Sequence, residues 1–322
     1  MTRATVRAVA VTLVLALCAL YAIAAPARGQ EHFVDEAINR VTVEHMRHGA
    51  NYYDAMDDSL RRYNGPAGSV RAYRLPTPFL LWRALGSVRA IWLFYVLLVA
   101  ISAFVLVRLT SAPLSVPLIA WYMLHAARPH DAGGFIDQYL IVELWVVPFV
   151  AAALLATVRR NWATAAGLAV VATSFRELAG LLLLAGLAAA LLFRRSSAPW
   201  LAAIALSVAA FLVHSALVHP HLVRHGTEIA LLGTGGPRRV LTMMGVGLPH
   251  GTVVGPVLWL FAIGRLSTDR ELAVRFGPYL ALPLVGFAVG RDYWGFLVVP
   301  FALLWAVEGA AIAVDRIRVA RT

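Results

Sequence analysis

Cysteine is almost absent from this chain and lysine is absent altogether, and the shortage of cysteine excludes two classes of site. Cys18 is the only cysteine among the 322 residues and lies in an apolar run, which excludes a disulfide framework and a cysteine-based metal site. All 28 basic side chains are arginines, because the sequence has no lysine. Arginine suits bidentate phosphate binding better than lysine, so the composition is compatible with an anionic lipid or phosphate ligand without requiring one.

Charged residues are scarce as well. They form 14% of the chain and hydrophobic residues 60%, whereas about 25% of the residues in a soluble domain are charged. Long apolar runs recur to the C-terminus, which indicates a multispanning membrane protein. The net charge of +11 does not indicate nucleic-acid binding, since no soluble basic domain is present to carry it.

The N-terminal segment has two interpretations. Arg3 and Arg7 precede an apolar stretch of about 18 residues, and small residues follow it at Ala24 and Ala25, as in a cleaved signal peptide. The stretch is long enough to span a membrane, and we favour its retention as a first helix. Further candidate spans are 89–107, 112–127, 136–157, 162–175, 178–193, 199–218, 243–264, 273–290 and 294–314.

Arginines between these spans indicate the orientation. If the chain crosses the membrane ten times, twelve arginines lie on the same side of it: Arg3, Arg7, Arg108, Arg159, Arg160, Arg194, Arg195, Arg265, Arg270, Arg316, Arg318 and Arg321. The positive-inside rule assigns that side, with both termini, to the cytoplasm. We therefore expect an all-α, polytopic bundle of about ten helices in the plasma membrane, with residues 1–322 forming a single domain.

Residues 162–193 test this topology. As one helix they would be about 48 Å long, against a hydrocarbon core of about 30 Å. A hairpin of two short helices that turns at SFRE fits the membrane and keeps both flanking arginine pairs in the cytoplasm. Arg176 and Glu177 would then lie at the outer mouth of the bundle, partly sunk into it.

The polar chemistry is concentrated on the external side, above all in a long first loop, residues 26–88. Apolar residues at helical spacing predict an amphipathic helix over 34–49, with Asp35 and Glu36 near its start, and a second short helix from Met56 to Tyr63. The pairs Asp57–Arg61 and Asp58–Arg62 are typical of a solvated helix face. Pro76 and Pro78 are expected to hold the chain extended after Arg74.

Several stretches resemble one known family. VDEAINRVTVEHMRHGANYY and YRLPTPFLLW resemble the first external loop of C-type integral membrane glycosyltransferases, in the branch of protein O-mannosyltransferases and the lipid A aminoarabinose transferase. Shorter matches follow in order: FIDQYLIVELW with Asp137, the hairpin tip with Arg176 and Glu177, and RDYWGFLVVPFALLW with Tyr293. Members of this branch are usually longer, so the chain resembles a compact form.

The resemblance implies an inverting transfer of a sugar from a polyprenyl-phosphate donor to a glycan, lipid or protein acceptor, at the external face of the cell envelope. It implies a catalytic carboxylate, with Asp35 the first choice and Glu36 the second. Arg74, Arg176 and Arg291 are the implied cations for the donor phosphate. Tyr52, Tyr53, Asp137, Glu177 and Tyr293 would line the substrate pocket. The tyrosines are equally explained as interfacial anchors, and Glu177 and Asp292 as neutralising partners of the neighbouring arginines.

Two other functions share the fold class and the arginines: a transporter or flippase for a lipid-linked substrate, and a non-catalytic membrane subunit. The absence of a convincing internal repeat and the one-sided polar groups argue against the transporter. No cofactor is predicted. A divalent metal is possible, because some C-type enzymes use one, but neither His45 with His48 nor the group His219, His221 and His225 has a convincing ligand pattern.

Overall fold

The computed structural model describes residues 2–23, 34–65, 72–127, 140–225, 236–285 and 292–320, and within these ranges the chain is helical and has no strand. This confirms the predicted all-α class. The helices are α1 Arg3–Ile23, α2 Val34–Arg47, α3 Tyr52–Arg62, α4 Thr77–Leu85, α5 Val88–Leu109, α6 Ser115–Ala126, α7 Val142–Val158, α8 Trp162–Phe175, α9 Leu181–Leu192, α10 Ala198–His225, α11 Gly236–Met244, α12 Gly251–Leu266, α13 Arg270–Leu280, α14 Leu282–Val285 and α15 Val299–Ala320.

Three of the described helices are long and apolar enough to cross a membrane. They contain the stretches Ala4–Ile23, Val88–Leu109 and Ala198–Val223, in α1, α5 and α10. Shorter apolar helices cover Val142–Val158, Trp162–Phe175, Glu177–Leu192 and Gly251–Leu266. These features are consistent with a membrane protein.

The helix break predicted within 162–193 is present. Helix α8 ends at Phe175, Arg176 has an extended backbone (φ −147°, ψ 116°), and a short 3-10 turn over Glu177–Gly180 leads into α9. Helices α7 and α8 are joined by the tight turn at 159–161 and pack against each other. The first residues of α7 therefore lie at the same end of the molecule as the last residues of α8. This places the start of α7 and the α8–α9 break together.

Two other predicted spans are interrupted. The apolar stretch 243–264 contains a turn at 245–250, and α12 begins only at Gly251. Gly245 and Gly251 approach so closely there that a Cβ on Gly245 would lie 1.9 Å from the Gly251 carbonyl oxygen, which explains the glycines at this turn. The stretch 273–290 is likewise not one helix, because α13 ends at Leu280 and a separate short helix follows.

The described part of the first loop forms three helices, α2, α3 and α4, which pack at one end of the bundle. Ile38, Val41 and Met46 are buried on α2, as the predicted apolar stripe requires, and α2 packs on α3 and α4. The two prolines of the loop act differently from the expectation. Pro76 is the N-cap of α4 with helical backbone angles, and Pro78 lies in its first turn, where a missing backbone N–H has no cost.

A buried carboxylate joins three helices at another point of the bundle. Glu308 of α15 is 5% exposed and accepts hydrogen bonds from the Thr110 hydroxyl (2.7 Å) and the Ser111 backbone N–H (2.9 Å) at the end of α5. Its second oxygen accepts from Arg265 Nε of α12 at 2.8 Å. The three donors compensate for the burial of the charge.

Candidate functional site

Arg176 is buried at the break between α8 and α9. Because its backbone leaves the helical conformation, its side chain projects from the end of α8, where it is 3% exposed. Its Nε lies 2.8 Å from Glu143 Oε1 and its Nη1 donates to Glu177 Oε1 at 3.0 Å. The guanidinium carbon is 5.9 Å from the ring centroid of Trp294. Arg176 is therefore held by two carboxylates rather than by Glu177 alone.

Glu143 is the central residue of the site, and sequence reasoning missed it. It lies in the first turn of α7 and is 1% exposed, at a helix N-terminus where the helix dipole favours a carboxylate. Its position in an otherwise apolar helix was the available signal, because a buried ionisable group in such a helix marks a functional site by default. The prediction selected Asp137 from the same stretch, and Asp137 lies outside the described residues.

Arg74 reaches the same carboxylate from the first loop. Its Nη1 lies 3.7 Å from Glu143 Oε1, and its side chain is 12% exposed. The Tyr52 hydroxyl of α3 donates a hydrogen bond to the Arg74 carbonyl oxygen. Two arginines that were predicted separately, Arg74 and Arg176, thus converge on one buried glutamate.

The charges of this cluster are unevenly exposed. Arg74, Arg176 and Glu143 are buried or nearly so and together carry one net positive charge, whereas the Glu177 side chain is 39% exposed. An ion pair at an accessible rim is weak, since water competes for both partners. The arrangement is suited to binding an anion at the rim, where its oxygens would compete with Glu177 for the arginine N–H groups.

Tyr52 lies beside Arg74, and Tyr53 packs on Tyr52. Their ring centroids are 5.0 Å apart, and Tyr52 also packs on Phe79. Burial raises the pKa of both phenols, for Tyr52 against the opposing effect of the nearby Arg74 charge. Both tyrosines therefore stay neutral at physiological pH and act as hydrogen-bond donors.

Asp57 is not on a solvated helix face, so that interpretation was wrong. It is 1% exposed, accepts a hydrogen bond from the Tyr73 hydroxyl at 2.6 Å and pairs with Arg61 at 3.1 Å. Helix α10 covers it, with His221 Nδ1 3.7 Å from its second oxygen. The predicted spacing of Asp57 and Arg61 is correct, but Asp58 pairs with the same Arg61 at 2.7 Å.

The remaining predicted residues are only partly described. The backbones of Asp35 and Glu36 lie in the first turn of α2, and that of Tyr293 in the 3-10 turn Asp292–Leu297, but their side chains lie outside the described part, as does Arg291 altogether. One contact locates α2: Asn39 donates to the Leu140 carbonyl oxygen at 3.1 Å. The start of α2 therefore adjoins the start of α7, the helix that carries Glu143.

Within the described ranges, no group of three histidine, cysteine, aspartate or glutamate side chains is arranged to hold a metal ion. His221 faces the α3 carboxylates, at 3.9 Å from Asp54 Oδ1, whereas His219 is exposed. The chain was also compared with protein-family models, with curated proteins and with solved structures, and none of them matches it.

Proposed function

We propose that the chain is a membrane glycosyltransferase that takes a sugar from a polyprenyl-phosphate donor and transfers it to an acceptor at the extracytoplasmic face. The observation that carries the proposal is the convergence of Arg74 and Arg176 on Glu143, with Tyr52 bonded to the Arg74 backbone. Arginines held at a nearly buried rim suit the phosphate of a lipid-linked donor, and the apolar helices around them suit its hydrocarbon tail.

The proposed topology has about ten spans, with both termini in the cytoplasm. The helices α1, α5, α6, α7, α8, α9, α10, α12, α13 with α14, and α15 would supply them. Arg159 and Arg160 lie at the turn between α7 and α8, at the far end of these helices from Glu143 and Arg176. The positive-inside rule assigns the arginine turn to the cytoplasm, and the site is then extracytoplasmic.

The proposed reaction is a single displacement. Asp35, with Glu36 as second choice, accepts the proton of the acceptor hydroxyl as its oxygen attacks the anomeric carbon. The new glycosidic bond forms while the bond from that carbon to the phosphate oxygen breaks, and the polyprenyl phosphate leaves with the electron pair. Attack opposite the leaving group inverts the anomeric centre. Arg74 and Arg176 stabilise the negative charge that develops on the phosphate.

Support for the carboxylate comes from the position of α2. Asp35 lies one helical turn before Asn39 in α2. The Asn39 side-chain amide donates to the carbonyl oxygen of Leu140, which lies three residues before Glu143. This contact holds α2, which carries the proposed base, near the start of α7, which carries Glu143. Tyr52 and Tyr53 are proposed to line the sugar pocket, together with Glu177, Asp137 and Tyr293. Arg291 is a third proposed phosphate ligand.

The test is turnover of a panel of polyprenyl-phosphate sugars by the purified protein in liposomes. We expect donor consumption by the wild type, a loss of at least about 100-fold in Asp35→Asn and a comparable loss in Arg74→Ala. Asp58→Asn and Arg62→Ala, on the exposed face of α3, are matched controls that should retain activity. Full activity of Asp35→Asn would show that Asp35 is not the base and would make Glu36 the candidate. If folded wild-type protein turns over none of the donors, the proposed glycosyltransferase activity is wrong.

A transporter or flippase for a lipid-linked substrate is the second candidate. The buried, mutually paired charges of Arg74, Glu143 and Arg176 favour it, because transport proteins also bury ion pairs near a substrate path. The same liposomes separate the two functions. Movement of a labelled polyprenyl-phosphate sugar between leaflets without its consumption would support transport, whereas consumption would support the transferase.

A further inference from the structure

Arg74 follows Tyr73, and this dipeptide is bound on several sides by α3 and α10. The Tyr73 hydroxyl donates to Asp57 of α3 at 2.6 Å, and the Tyr73 carbonyl oxygen lies 2.6 Å from His214 Nε2 of α10. The next carbonyl, that of Arg74, accepts from the Tyr52 hydroxyl. Three polar contacts thus fix two consecutive residues of a segment that has no regular secondary structure of its own.

The tautomer of His214 follows from its partners. A carbonyl oxygen only accepts hydrogen bonds, so Nε2 must carry the proton that it donates to Tyr73. Nδ1 is then an acceptor in the neutral ring, and the Tyr53 hydroxyl lies 3.2 Å from it. Both nitrogens of His214 are therefore used, and His214 is buried. A ring satisfied in this way has one orientation, which suits it to hold a backbone in place.

Asp57 is fixed in the same manner. Arg61 pairs with it from its own helix, Tyr73 donates to it, and His221 of α10 lies against its second oxygen. Asp57 and His214 therefore contact Tyr73 from two different helices, α3 and α10. Helix α10 is largely exposed apolar surface, so these polar contacts set how it meets the first loop.

We infer that Asp57 and His214 are positioning residues that hold Arg74 at Glu143 by fixing the backbone of Tyr73 and Arg74. They act on Arg74 through Tyr73 and do not themselves touch the donor. A phosphate binds more tightly to an arginine that is already held in place. A mobile arginine must be ordered on binding, and this ordering lowers the affinity. That role in donor binding rests on the proposed function, whereas the immobilisation of Arg74 does not.

The first measurement is the mobility of a nitroxide spin label on Leu75→Cys in a Cys18→Ala background, by electron paramagnetic resonance of the full chain. The label reports directly on the residue after Arg74. We expect His214→Leu to mobilise the label, and His214→Gln, whose amide still donates to the Tyr73 carbonyl, to restore most of the immobilisation. Tyr73→Phe, which removes the hydroxyl that donates to Asp57, should mobilise the label partly. His219→Leu, an exposed histidine on the same helix, is the matched control.

The second measurement is binding of farnesyl phosphate, followed by tryptophan fluorescence, with farnesol and inorganic phosphate as separate arms. We expect His214→Leu to weaken farnesyl phosphate binding about tenfold. The same change should have little further effect in an Arg74→Ala background, because residues that act as a unit are not additive. A change of stability alone would not produce this dependence on Arg74.

The outcomes separate the two proposals. An immobile label in both His214→Leu and Tyr73→Phe overturns the positioning inference, and Tyr73→Phe keeps that test available if His214→Leu does not fold. A mobilised label with farnesyl phosphate affinity unchanged by Arg74→Ala supports the positioning of Arg74 and removes Arg74 as a phosphate ligand. A mobilised label with the tenfold, Arg74-dependent loss supports both.

Discussion

The side chains of Arg176 and Glu143 meet at 2.8 Å, although one leaves the end of α8 and the other lies in the first turn of α7. Both are almost completely buried. The contact joins the start of α7 to the end of α8, at the end of the pair opposite the turn at 159–161. Arg74 of the first loop lies against the same Glu143 carboxylate. This pair therefore links the stability of the bundle to the candidate site, and the two contributions are separable by mutation.

Removing one member of this pair should destabilise the protein strongly. In Glu143→Leu, Arg176 keeps the partly exposed Glu177 as its carboxylate partner, and breaking a buried ion pair in this way costs about 3–5 kcal/mol. Glu177→Leu should cost less than about 1 kcal/mol, because its side chain is partly in water. Thermal unfolding in detergent micelles compares the two variants.

The double variant Glu143→Leu with Arg176→Met decides what kind of contribution the pair makes. An apolar replacement of both partners should recover part of the stability that the single change loses, because the buried Arg176 charge is removed together with Glu143. Arg74 still loses Glu143 as a partner, and Glu177 loses Arg176. It should not recover turnover or farnesyl phosphate binding if Arg176 is a donor ligand. Recovery of both would show that Arg176 is structural only.

Glu308 provides a second test, far from the site. In Glu308→Ala, the Arg265 side chain and the Thr110 hydroxyl lose their acceptor, and we expect a loss of about 3 kcal/mol. Asp315→Ala, an exposed acid on the same helix, should change stability by less than about 0.5 kcal/mol. Chemical unfolding of both variants measures the difference, and equal stabilities would contradict the assigned role of Glu308.

Much of the helical architecture could be predicted, because hydrophobic length and the bilayer constrain it. Residues 162–193 would form a helix longer than the hydrocarbon core is thick, which predicts a break within them. The structure has that break at Arg176, between α8 and α9. The turn at 245–250 was missed, although its glycines and Pro249 are turn signals, because the apolar run around it dominated the interpretation.

The sequence singled out Arg74, Arg176 and Glu177, which the structure brings together, but it did not single out Glu143. Arg74 and Arg176 were selected because the family resemblance implies cations for the donor phosphate at their positions. Glu143 and Asp57 became central only because distant segments converge on them, and spacing within one helix contains no information about such contacts. Asp57 has the spacing of a solvated ion pair, and it is buried because α10 lies over it.

Gly309 is expected to be intolerant of any side chain. A Cβ there would lie 2.1 Å from the Phe261 carbonyl oxygen, because α15 and α12 touch through their backbones at this point. Gly309→Ala must separate the helices and should cost about 1–3 kcal/mol. Gly264→Ala, on the same α12, meets nothing within 4 Å and should gain up to about 1 kcal/mol from helix propensity. Thermal unfolding of the two variants should therefore shift in opposite directions.

Asn39 offers a way to test the catalytic carboxylate without changing it. Its side-chain amide is the described polar contact between the start of α2 and the start of α7, and it is 3% exposed. In Asn39→Asp the donor is lost and the Leu140 carbonyl faces a carboxylate, whereas Asn39→Gln keeps the donor on a longer side chain. We expect Asn39→Asp to cost about 2 kcal/mol of stability and to displace α2.

If Asp35 is the base, that displacement should lower turnover by more than tenfold at saturating donor while changing donor affinity little, because the carboxylate acts on the acceptor and the arginines hold the donor. Asn39→Gln should retain more turnover than Asn39→Asp. Steady-state kinetics over a range of donor concentrations separates the two effects. A rise in the KM for the donor with an unchanged kcat would mean that α2 serves donor binding, and Asp35 would then no longer be the preferred base.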